Sequence, residues 1–314
     1  MSLLVALYGA VVSARNHLYD GRVLPARKLA GQVVSVGNIS AGGAGKTPFV
    51  ILLGGLLQRR GVAFDVLSRG YGRKTKGVLL VDGNGSAEEF GDEPLLIARR
   101  LGCPVIVGES RYRAGLWAES KFGPQLHLLD DGFQHRSLAR DFNIVLLTPE
   151  DVKDSLLPKG RLREPLQSLT RADVVVVNSE FDVSLLPVPH GAVWRIRRDL
   201  EMASSFRRPV VFCGIARPGK FLEQLRRKGI GPVGEKFYPD HHAYSNSDVE
   251  DLLRLKTQNG ADGFITTEKD AVNLKSDLSR LDPVEVARVT MEIVEPADAI
   301  DSMLRRIDPR KERA

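Results

Sequence analysis

The sequence predicts an α/β fold with a mostly parallel sheet, helices on both faces, and a second, smaller α/β domain. Apolar, β-branched runs of strand length alternate with helical patterns from residue 33 to residue 177, and this alternation is typical of a parallel sheet. A glycine-rich loop separates the first strand from the first helix of this alternation. The pattern resumes at residue 209, which predicts the second α/β domain.

The glycine-rich loop has the composition of a phosphate-binding loop. The run VVSVGN predicts a strand, SAGGAGKT (40–47) the loop, and PFVILLGGLLQRR the helix. Loop amides and a helix N-terminus attract an anion, Lys46 reaches the outer phosphates, and the Thr47 hydroxyl ligates magnesium. The fold class is therefore of the P-loop NTPase type. Ser40 stands where the usual pattern has glycine, so the loop is a variant; an ordinary glycine-rich turn is the alternative.

The composition limits the class of protein. The chain has 314 residues, of which 43% are hydrophobic and 27% charged, as in ordinary globular proteins. A net charge of +6 and a pI near 9.3 fit an anionic partner such as a nucleotide, a phosphorylated substrate or an acidic membrane surface. Aromatic residues make up only 6% and no basic run is interleaved with them, which disfavours nucleic-acid binding. Cys103 and Cys213 form no metal-binding motif and suit a reducing compartment.

The chain divides into three predicted parts. Residues 1–185 form the P-loop core together with an N-terminal helix, and residues 186–296 form the second α/β domain. Residues 297–314 predict a C-terminal helix that returns to the core. The stretch 181–200 predicts a linker or connecting strands.

The N-terminus carries a short apolar segment, residues 2–14. It is too short to span a bilayer, which needs about 20 apolar residues. A signal peptide is disfavoured because the positive charges follow the apolar run instead of preceding it. Two interpretations stay open: a helix in the membrane interface with basic residues near the lipid headgroups, or a helix packed on the protein's own core. These basic residues are Arg15, Arg22, Arg27 and Lys28.

Several charged residues are candidates for chemistry. Asp130 and Asp131 follow the strand QLHLL, a position from which a P-loop protein holds magnesium, although an ordinary turn is the alternative. The loop LPKGRLREP offers Arg163 and other basic groups to phosphate oxygens, unless it is a solvated run of charge. Asp92 precedes an apolar periodic run and predicts a helix N-cap. His241 lies in a loop without a third metal ligand nearby, and as a base it would need a distant carboxylate.

These motifs together resemble one family, the tetraacyldisaccharide 4'-kinases, over essentially the whole chain. The matching stretches, in the family's order, are VGNISAGGAGKTP, SRGYGRK, GDEP, DDGFQH, LPKGRLREP, the PDH of FYPDHH, and TEKDAV. Ser40 belongs to this family's version of the loop. The resemblance implies transfer of the ATP γ-phosphate to the 4'-hydroxyl of a tetraacylated glucosamine disaccharide 1-phosphate. This is a step of lipid A biosynthesis, carried out with magnesium at the cytoplasmic face of the bacterial inner membrane.

The resemblance also implies roles for residues. The loop residues would bind the ATP phosphates: Ser40, Ala41, Gly42, Gly43, Ala44, Gly45, Lys46 and Thr47. The magnesium ligands would be Thr47, Asp130, Asp131 and Glu164. Asp92, His241 and Lys46 would be catalytic, with Asp92 near the attacking hydroxyl and Lys46 at the transferred phosphate.

The partners follow from the same resemblance. We expect a lipid substrate, no nucleic acid, a monomer, and peripheral association with the inner membrane through the N-terminal helix. A P-loop kinase or ligase acting on a soluble acid or alcohol is one alternative. A nucleotide-switch protein of the metal-insertion GTPase type is another, but it needs a guanine-reading motif to which residues 267–270 (TEKD) are only superficially similar.

Overall fold

The computed structural model describes residues 3–186, 192–203 and 206–307. Within these residues, 12 strands form one mostly parallel sheet with helices on both faces, which confirms the predicted fold class. The strands are β1 (Val33–Asn38), β2 (Phe64–Ser68), β3 (Leu79–Leu80), β4 (Val105–Val107), β5 (Leu126–Leu129), β6 (Phe142–Leu146), β7 (Val174–Asn178), β8 (Val193–Glu201), β9 (Pro209–Cys213), β10 (Gly234–Phe237), β11 (Gly263–Thr267) and β12 (Val284–Glu295). The helices are α1 (Leu3–Asp20), α2 (Lys46–Arg59), α3 (Ala87–Phe90), α4 (Asp92–Leu101), α5 (Arg111–Phe122), α6 (Pro149–Val152), α7 (Pro218–Arg227), α8 (Asn246–Gln258), α9 (Glu268–Leu274) and α10 (Ala299–Ile307).

The sheet has the strand order β10-β9-β11-β12-β8-β7-β6-β1-β5-β2-β4-β3. Every neighbouring pair is parallel except β12–β8 and β4–β3. Strands β1 to β7 form the first group and β9 to β11 the second. The antiparallel pair of β8 and β12, which we call the ladder, joins the two groups into one sheet.

The register of the ladder makes the two groups face each other. Strand β7 pairs with β8 near the start of β8, at Val193–Ile196, and β11 pairs with β12 near its start, at Val284–Ala287. Because β8 and β12 are antiparallel, these two attachment points lie at opposite ends of the ladder. The carboxyl ends of both groups therefore point toward the middle of the ladder. Loops at the carboxyl ends of parallel strands carry binding sites, so the ladder brings two such sets together.

The core lies on both faces of the first group. In β1, Val34 and Val36 are fully buried in one cluster with Leu53 of α2, whereas Val33 packs on the other face with Ala114 of α5. This alternation is the period-two pattern of a strand covered on both sides. It holds the loop between β1 and α2 on a rigid support.

The C-terminal part of the stretch 181–200 is strand, and Val183–Leu185 form a short 3-10 helix. Residues 193–201 form β8, whose pairing with β7 and β12 makes it an interior strand of the sheet, while residues 187–191 lie outside the described residues. The division of the chain near residue 185 stays a prediction. Helix α10 buries Ile300 and Met303 in the same cluster as Leu53, and residues 308–314 of the predicted C-terminal helix lie outside the described part.

Helix α1 has one packed and one exposed face. Val5 and Val12 are buried, the Tyr8 hydroxyl donates to the carbonyl of Arg163 at 3.0 Å, and the Asn16 amide donates to Glu164 at 2.8 Å. The opposite face exposes large apolar side chains at helical spacing: Leu4, Leu7, Val11 and Leu18. No helix among the described residues is long and apolar enough to cross a bilayer.

Candidate active site

The phosphate-binding loop follows β1 and leads directly into α2. Gly43 and Gly45 have φ values of 64° and 86°, in the left-handed region that favours glycine, and Gly45 is the N-cap of α2. The first N–H groups of a helix have no intrahelical acceptor, so those of α2 are available to an anion beside the loop. Residues 41–47 line a cavity of about 930 Å³.

Lys46 belongs to a network with the second acid of the Asp-Asp pair. Its ammonium donates to Asn38 Oδ1 at 3.1 Å and lies 3.5 Å from Asp131 Oδ1. Arg163 donates to the same two side chains, at 2.6 Å to Asn38 Oδ1 and 3.1 Å to Asp131 Oδ2. Burial raises the pKa of Asp131, but the charges of Lys46 and Arg163 outweigh burial and hold it below its usual value. Asp131 is therefore an anion that orients both cations.

Asp130 lies deeper, at the end of β5. Its Oδ2 accepts a 3.0 Å hydrogen bond from the Ser68 hydroxyl, while its Oδ1 is buried without a hydrogen-bond partner. Burial, together with the negative charges of Glu93 and Asp131, raises the pKa of Asp130 to about 7. An unpartnered carboxylate oxygen beside other acids is a position that a cation would stabilise.

The opposite wall of the cavity contains an Asp–His pair. The Nδ1 atom of His241 lies 2.9 Å from Asp92 Oδ2 and 3.1 Å from Oδ1, so the structure brings together two residues that are 149 positions apart. Burial raises the pKa of Asp92, but the hydrogen bond from His241 and the charge of Lys269 lower it further than burial raises it. For His241 burial lowers the pKa, and the bond and charge of Asp92 raise it above its usual value.

Two details differ from the sequence prediction for Asp92. Gly91 is the N-cap of α4, and Asp92 is its first residue, with Oδ1 accepting from the N–H of Glu93 at 2.8 Å. Asp92 is only 4% exposed and lies behind the cavity wall, whereas His241 and Glu93 line the cavity itself. The imidazole therefore stands between this carboxylate and the space where a substrate would lie.

Lys269 completes this wall, and the sequence patterns assigned it no role. Its ammonium lies 2.9 Å from Asp240 Oδ1, 3.3 Å from His241 Nε2, 3.7 Å from Glu93 and 3.8 Å from Asp92. Burial lowers the pKa of Lys269, but the three carboxylates outweigh burial and raise it. A charged ammonium donating to Nε2 would place the proton of a neutral His241 on Nδ1, facing Asp92. Lys269 is the lysine of the TEKDAV motif, one of the stretches that match the family, although the resemblance assigned this lysine no role.

Two further predicted site residues, besides Asp92, lie outside the cavity wall. Ser40 is fully buried, its hydroxyl accepts from Asn38, and its backbone bridges to Leu162, so it anchors the loop without facing the cavity. Glu164 is 1% exposed and its Oε2 is bonded to Asn16 and Arg171 beneath α1. Both side chains lie in packed regions and do not line the cavity, so contact of Ser40 with phosphates and contact of Glu164 with a metal stay predictions.

The cavity is predominantly cationic, in agreement with the basic pI. The basic side chains that line it are Arg15, Lys46, Arg69, Arg111, Arg163, Arg198, Arg217, Lys220 and Lys269. The acidic ones are Glu93, Asp130, Asp131, Asp240 and Glu268. Such an excess of positive charge attracts an anionic ligand.

The donor set also fits a magnesium ion. No cluster of three or more His, Cys, Asp or Glu ligands occurs in the described part of the chain, so a fully protein-made metal cage is absent there. Magnesium in phosphoryl-transfer sites takes only one or two carboxylates, with waters and phosphates as the other ligands. The free Oδ1 of Asp130 and the hydroxyl of Thr47, which lines the cavity, are oxygen ligands of this kind.

Comparison with known proteins identifies the family. The family model described as tetraacyldisaccharide-1-P 4'-kinase (LpxK) matches residues 1–308. The tetraacyldisaccharide 4'-kinase of Koribacter versatilis is 48% identical over 99% of this chain and 100% of its own length. That of Aquifex aeolicus is 39% identical over 86% of this chain and 87% of its own length.

A solved structure agrees with these relatives. The crystal structure of LpxK from Aquifex aeolicus in complex with ATP matches with a TM-score of 0.80 at 35% identity, over 97% of this chain and 98% of that one. The family model, the relatives and the solved structure thus agree over nearly the whole chain. This chain belongs to the tetraacyldisaccharide 4'-kinase family.

Proposed function

We propose that this chain transfers the γ-phosphate of ATP to the 4'-hydroxyl of a tetraacylated glucosamine disaccharide 1-phosphate. The observation that carries the proposal is a single cationic cavity with the loop 41–47 on one wall and the Asp92–His241 pair on the other. A phosphate-binding loop alone is common to many NTPases, whereas an Asp–His pair facing it suits activation of an acceptor hydroxyl.

The proposed reaction breaks one bond and forms one. The 4'-oxygen attacks the γ-phosphorus, the bond from that phosphorus to the bridging oxygen breaks, and ADP leaves. The hydroxyl proton passes to the Asp92–His241 pair, in which Asp92 stabilises the imidazolium that forms. Lys46 stabilises negative charge on the transferred group, and Asp131 holds Lys46 in place. Magnesium, held by Thr47 and Asp130 when bound, would supply further positive charge to the phosphates.

A transfer assay tests this proposal. Purified protein is incubated with γ-labelled ATP, magnesium and detergent-dispersed disaccharide 1-phosphate, and the labelled lipid is isolated. We expect one phosphate per lipid, located by ³¹P NMR on the 4'-position, and none when the 4'-hydroxyl is replaced by hydrogen. Hydrolysis of ATP without labelled lipid would contradict the proposal.

The exposed face of α1 supports an interfacial position at the membrane. Leu4, Leu7 and Val11 are each more than 60% exposed, whereas Arg15 and Arg163 line the cavity at the same side of the molecule. A helix with an apolar outer face and basic residues near its C-terminal end, as in α1, binds to anionic bilayer surfaces. We propose that α1 places the cavity beside the cytoplasmic face of the inner membrane, where a monomer takes its lipid substrate.

Vesicle sedimentation tests the role of α1. The variant Leu4→Ser/Leu7→Ser/Val11→Ser should bind anionic vesicles roughly tenfold or more weakly, because it removes three apolar side chains from the interface. Leu80→Ser removes an exposed leucine far from α1 and serves as the control. Equal sedimentation of both variants and the wild type would show that α1 does not mediate binding.

The alternative of a nucleotide-switch GTPase is not favoured. In the segment 267–270, a guanine-reading aspartate would have to face the nucleotide. Asp270 is instead fully buried and accepts from the Gly214 N–H at 2.7 Å and the Tyr244 hydroxyl at 2.8 Å. Its oxygens are thus engaged in holding the second group of strands together.

A further inference from the structure

Two arginines lie against the phosphate-binding loop from the ladder side. Arg198 belongs to β8, and Arg217 is the N-cap of α7; both line the cavity. A Cβ atom added to Gly43 would lie 2.8 Å from Cδ and Nε of Arg217, and one added to Gly45 would lie 3.9 Å from Nη1 of Arg198. Both guanidinium groups therefore pack beside the glycines of the loop.

These two cations are short of negative partners. Among the described residues, no carboxylate oxygen lies within 4.0 Å of the Arg198 guanidinium nitrogens, and its Nε is buried without a hydrogen-bond partner. Within the same described residues, Arg217 has one ion pair, with Glu150 at 3.4 Å, and its Nη2 is buried and unpartnered. Burial and the charge of Arg217 lower the pKa of Arg198. A buried cation without an anion is costly, so the pair is electrostatically incomplete until an anion binds.

Glu150 fixes Arg217 in this position. It lies on α6, just after β6 of the first group, and also pairs with Lys220 of α7. The ion pairs therefore connect the first group to the loop between β9 and α7. Glu150 contacts Nη1, whereas Nη2 of Arg217 has no hydrogen-bond partner among the described residues and can donate to a bound anion.

We infer that Arg198 and Arg217 bind phosphate oxygens of the nucleotide held by the loop 41–47, with Glu150 as the positioning residue for Arg217. The identity of the nucleotide as ATP rests on the proposed function. Planar guanidinium groups bind phosphates through two parallel hydrogen bonds, which an ammonium group does not offer. The ladder, through Arg198, and the second group of strands, through Arg217, thus contribute to phosphate binding, and the second group also carries His241 of the Asp–His pair.

Calorimetry with nucleotides alone tests the inference. Arg198→Gln and Arg217→Gln should each weaken ATP binding roughly 10- to 100-fold, because each removes hydrogen bonds from a charged donor to phosphate. Binding of adenosine should be unchanged, since it has no phosphate. Arg197→Gln and Arg227→Gln remove neighbouring exposed arginines paired with Glu292 and Glu223, and should bind ATP as the wild type does. Wild-type ATP affinity in both cavity variants would overturn the inference.

Thermal unfolding separates this role from a structural one. Without nucleotide, Arg198→Gln should melt at the wild-type temperature or above it, because it removes a buried unpaired charge, and saturating ATP should raise its melting temperature less than that of the wild type. A lower melting temperature with a full ATP-induced rise would identify Arg198 as structural and contradict the inference.

A further variant tests positioning by Glu150. Glu150→Gln should raise KM for ATP and leave adenosine binding unchanged, while Glu150→Asp should restore part of the loss. An unchanged KM in Glu150→Gln would exclude the positioning role.

The binding experiments contain no lipid. If the wild type binds ATP as described and yet transfers no phosphate to lipid, the proposed function fails and this inference stands. If Arg198→Gln and Arg217→Gln bind ATP with wild-type affinity and transfer phosphate to lipid normally, this inference fails and the proposed function stands.

Discussion

The two walls of the cavity are built in different ways. The phosphate wall, comprising residues 41–47 and 130–131, follows the adjacent parallel strands β1 and β5 of one group. The acceptor wall, formed by His241 and Lys269 with Asp92 behind them, combines α4 of the first group with a loop and helix α9 of the second group, across the ladder. The shape of the loop is thus a local property, whereas the Asp–His pair, and the placement of Arg198 and Arg217 beside the loop, exist only when both groups are in place.

This difference predicts separable effects on binding and on turnover. A change in the loop should weaken nucleotide binding and catalysis together. A change in the acceptor wall should slow transfer and leave ATP affinity nearly unchanged.

The largest combined loss of ATP binding and turnover is expected at Lys46. Lys46→Met removes the ammonium bonded to Asn38 and paired with Asp131, and should lower kcat roughly 100- to 1000-fold and weaken ATP binding. Steady-state kinetics and calorimetry measure the two quantities. Lys153→Met, which removes a lysine outside the cavity lining, is the control. Wild-type ATP affinity in Lys46→Met would contradict the assignment of Lys46 to phosphate binding.

Substitution of Glu164 and of Asp130 should have opposite effects: the first on stability alone, and the second on the magnesium requirement. Glu164→Gln should lower the free energy of unfolding by about 1–3 kcal/mol, because the bonds to Asn16 and Arg171 lose their charged acceptor, without changing the magnesium dependence of transfer. Asp130→Asn should raise the magnesium concentration required. Its stability at pH 8 should equal or exceed that of the wild type, because the raised pKa means that ionised Asp130 is disfavoured in the fold.

Chemical denaturation at several magnesium concentrations distinguishes these roles. A shifted magnesium requirement in Glu164→Gln, with unchanged stability, would support Glu164 as a magnesium ligand. It would contradict a role confined to the bonds with Asn16 and Arg171. An unchanged requirement in Asp130→Asn would remove Asp130 from the proposed metal ligands.

The smallest effect concerns the pH dependence of the Asp92–His241 pair. The pKa of His241 is raised in the fold, so protonated His241 stabilises the protein fully below its ordinary pKa of about 6.5, and this stabilisation is lost as pH rises through the folded-state value. The pKa of Asp92 is lowered, so its contribution is present above about 3.9 and lost at lower pH.

Unfolding free energies of the wild type and His241→Gln measure this contribution. The stability difference should be constant between about pH 4 and 6.5 and should decrease at higher pH. His17→Gln, which changes a histidine of α1 bonded to the Ser13 carbonyl, provides the control. A difference that grows with rising pH would contradict the assigned direction of the His241 shift.

The sequence predicted the phosphate wall well because its signals are local. Strand, glycines, Lys46 and Thr47 are contiguous, and their geometry follows from residue type. The direction of a side chain, in contrast, depends on contacts with residues distant in the sequence. Ser40 and Glu164 lie in the expected motifs, yet a β-bridge to Leu162 and the packing of α1 turn them away from the cavity.

The acceptor wall could not be derived from spacing. Asp92 and His241 were paired only through the family resemblance, because their contact depends on the ladder register that makes the two groups of strands face each other. Arg198 and Arg217 were missed for the same reason: one lies in a stretch predicted as linker or connecting strands, and the other precedes an ordinary helix. Their significance appears only from their position beside the glycines of the loop.

Single-turnover transfer with Asp92→Asn tests the central claim, that the two walls form one kinase site with separate tasks. Enzyme in excess is mixed with γ-labelled ATP and disaccharide 1-phosphate, and labelled lipid is measured over time, while calorimetry gives ATP affinity. We predict that the transfer rate falls roughly 100- to 10,000-fold and that ATP affinity changes less than about threefold. A wild-type transfer rate, or an equal loss of rate and ATP affinity, would contradict the account.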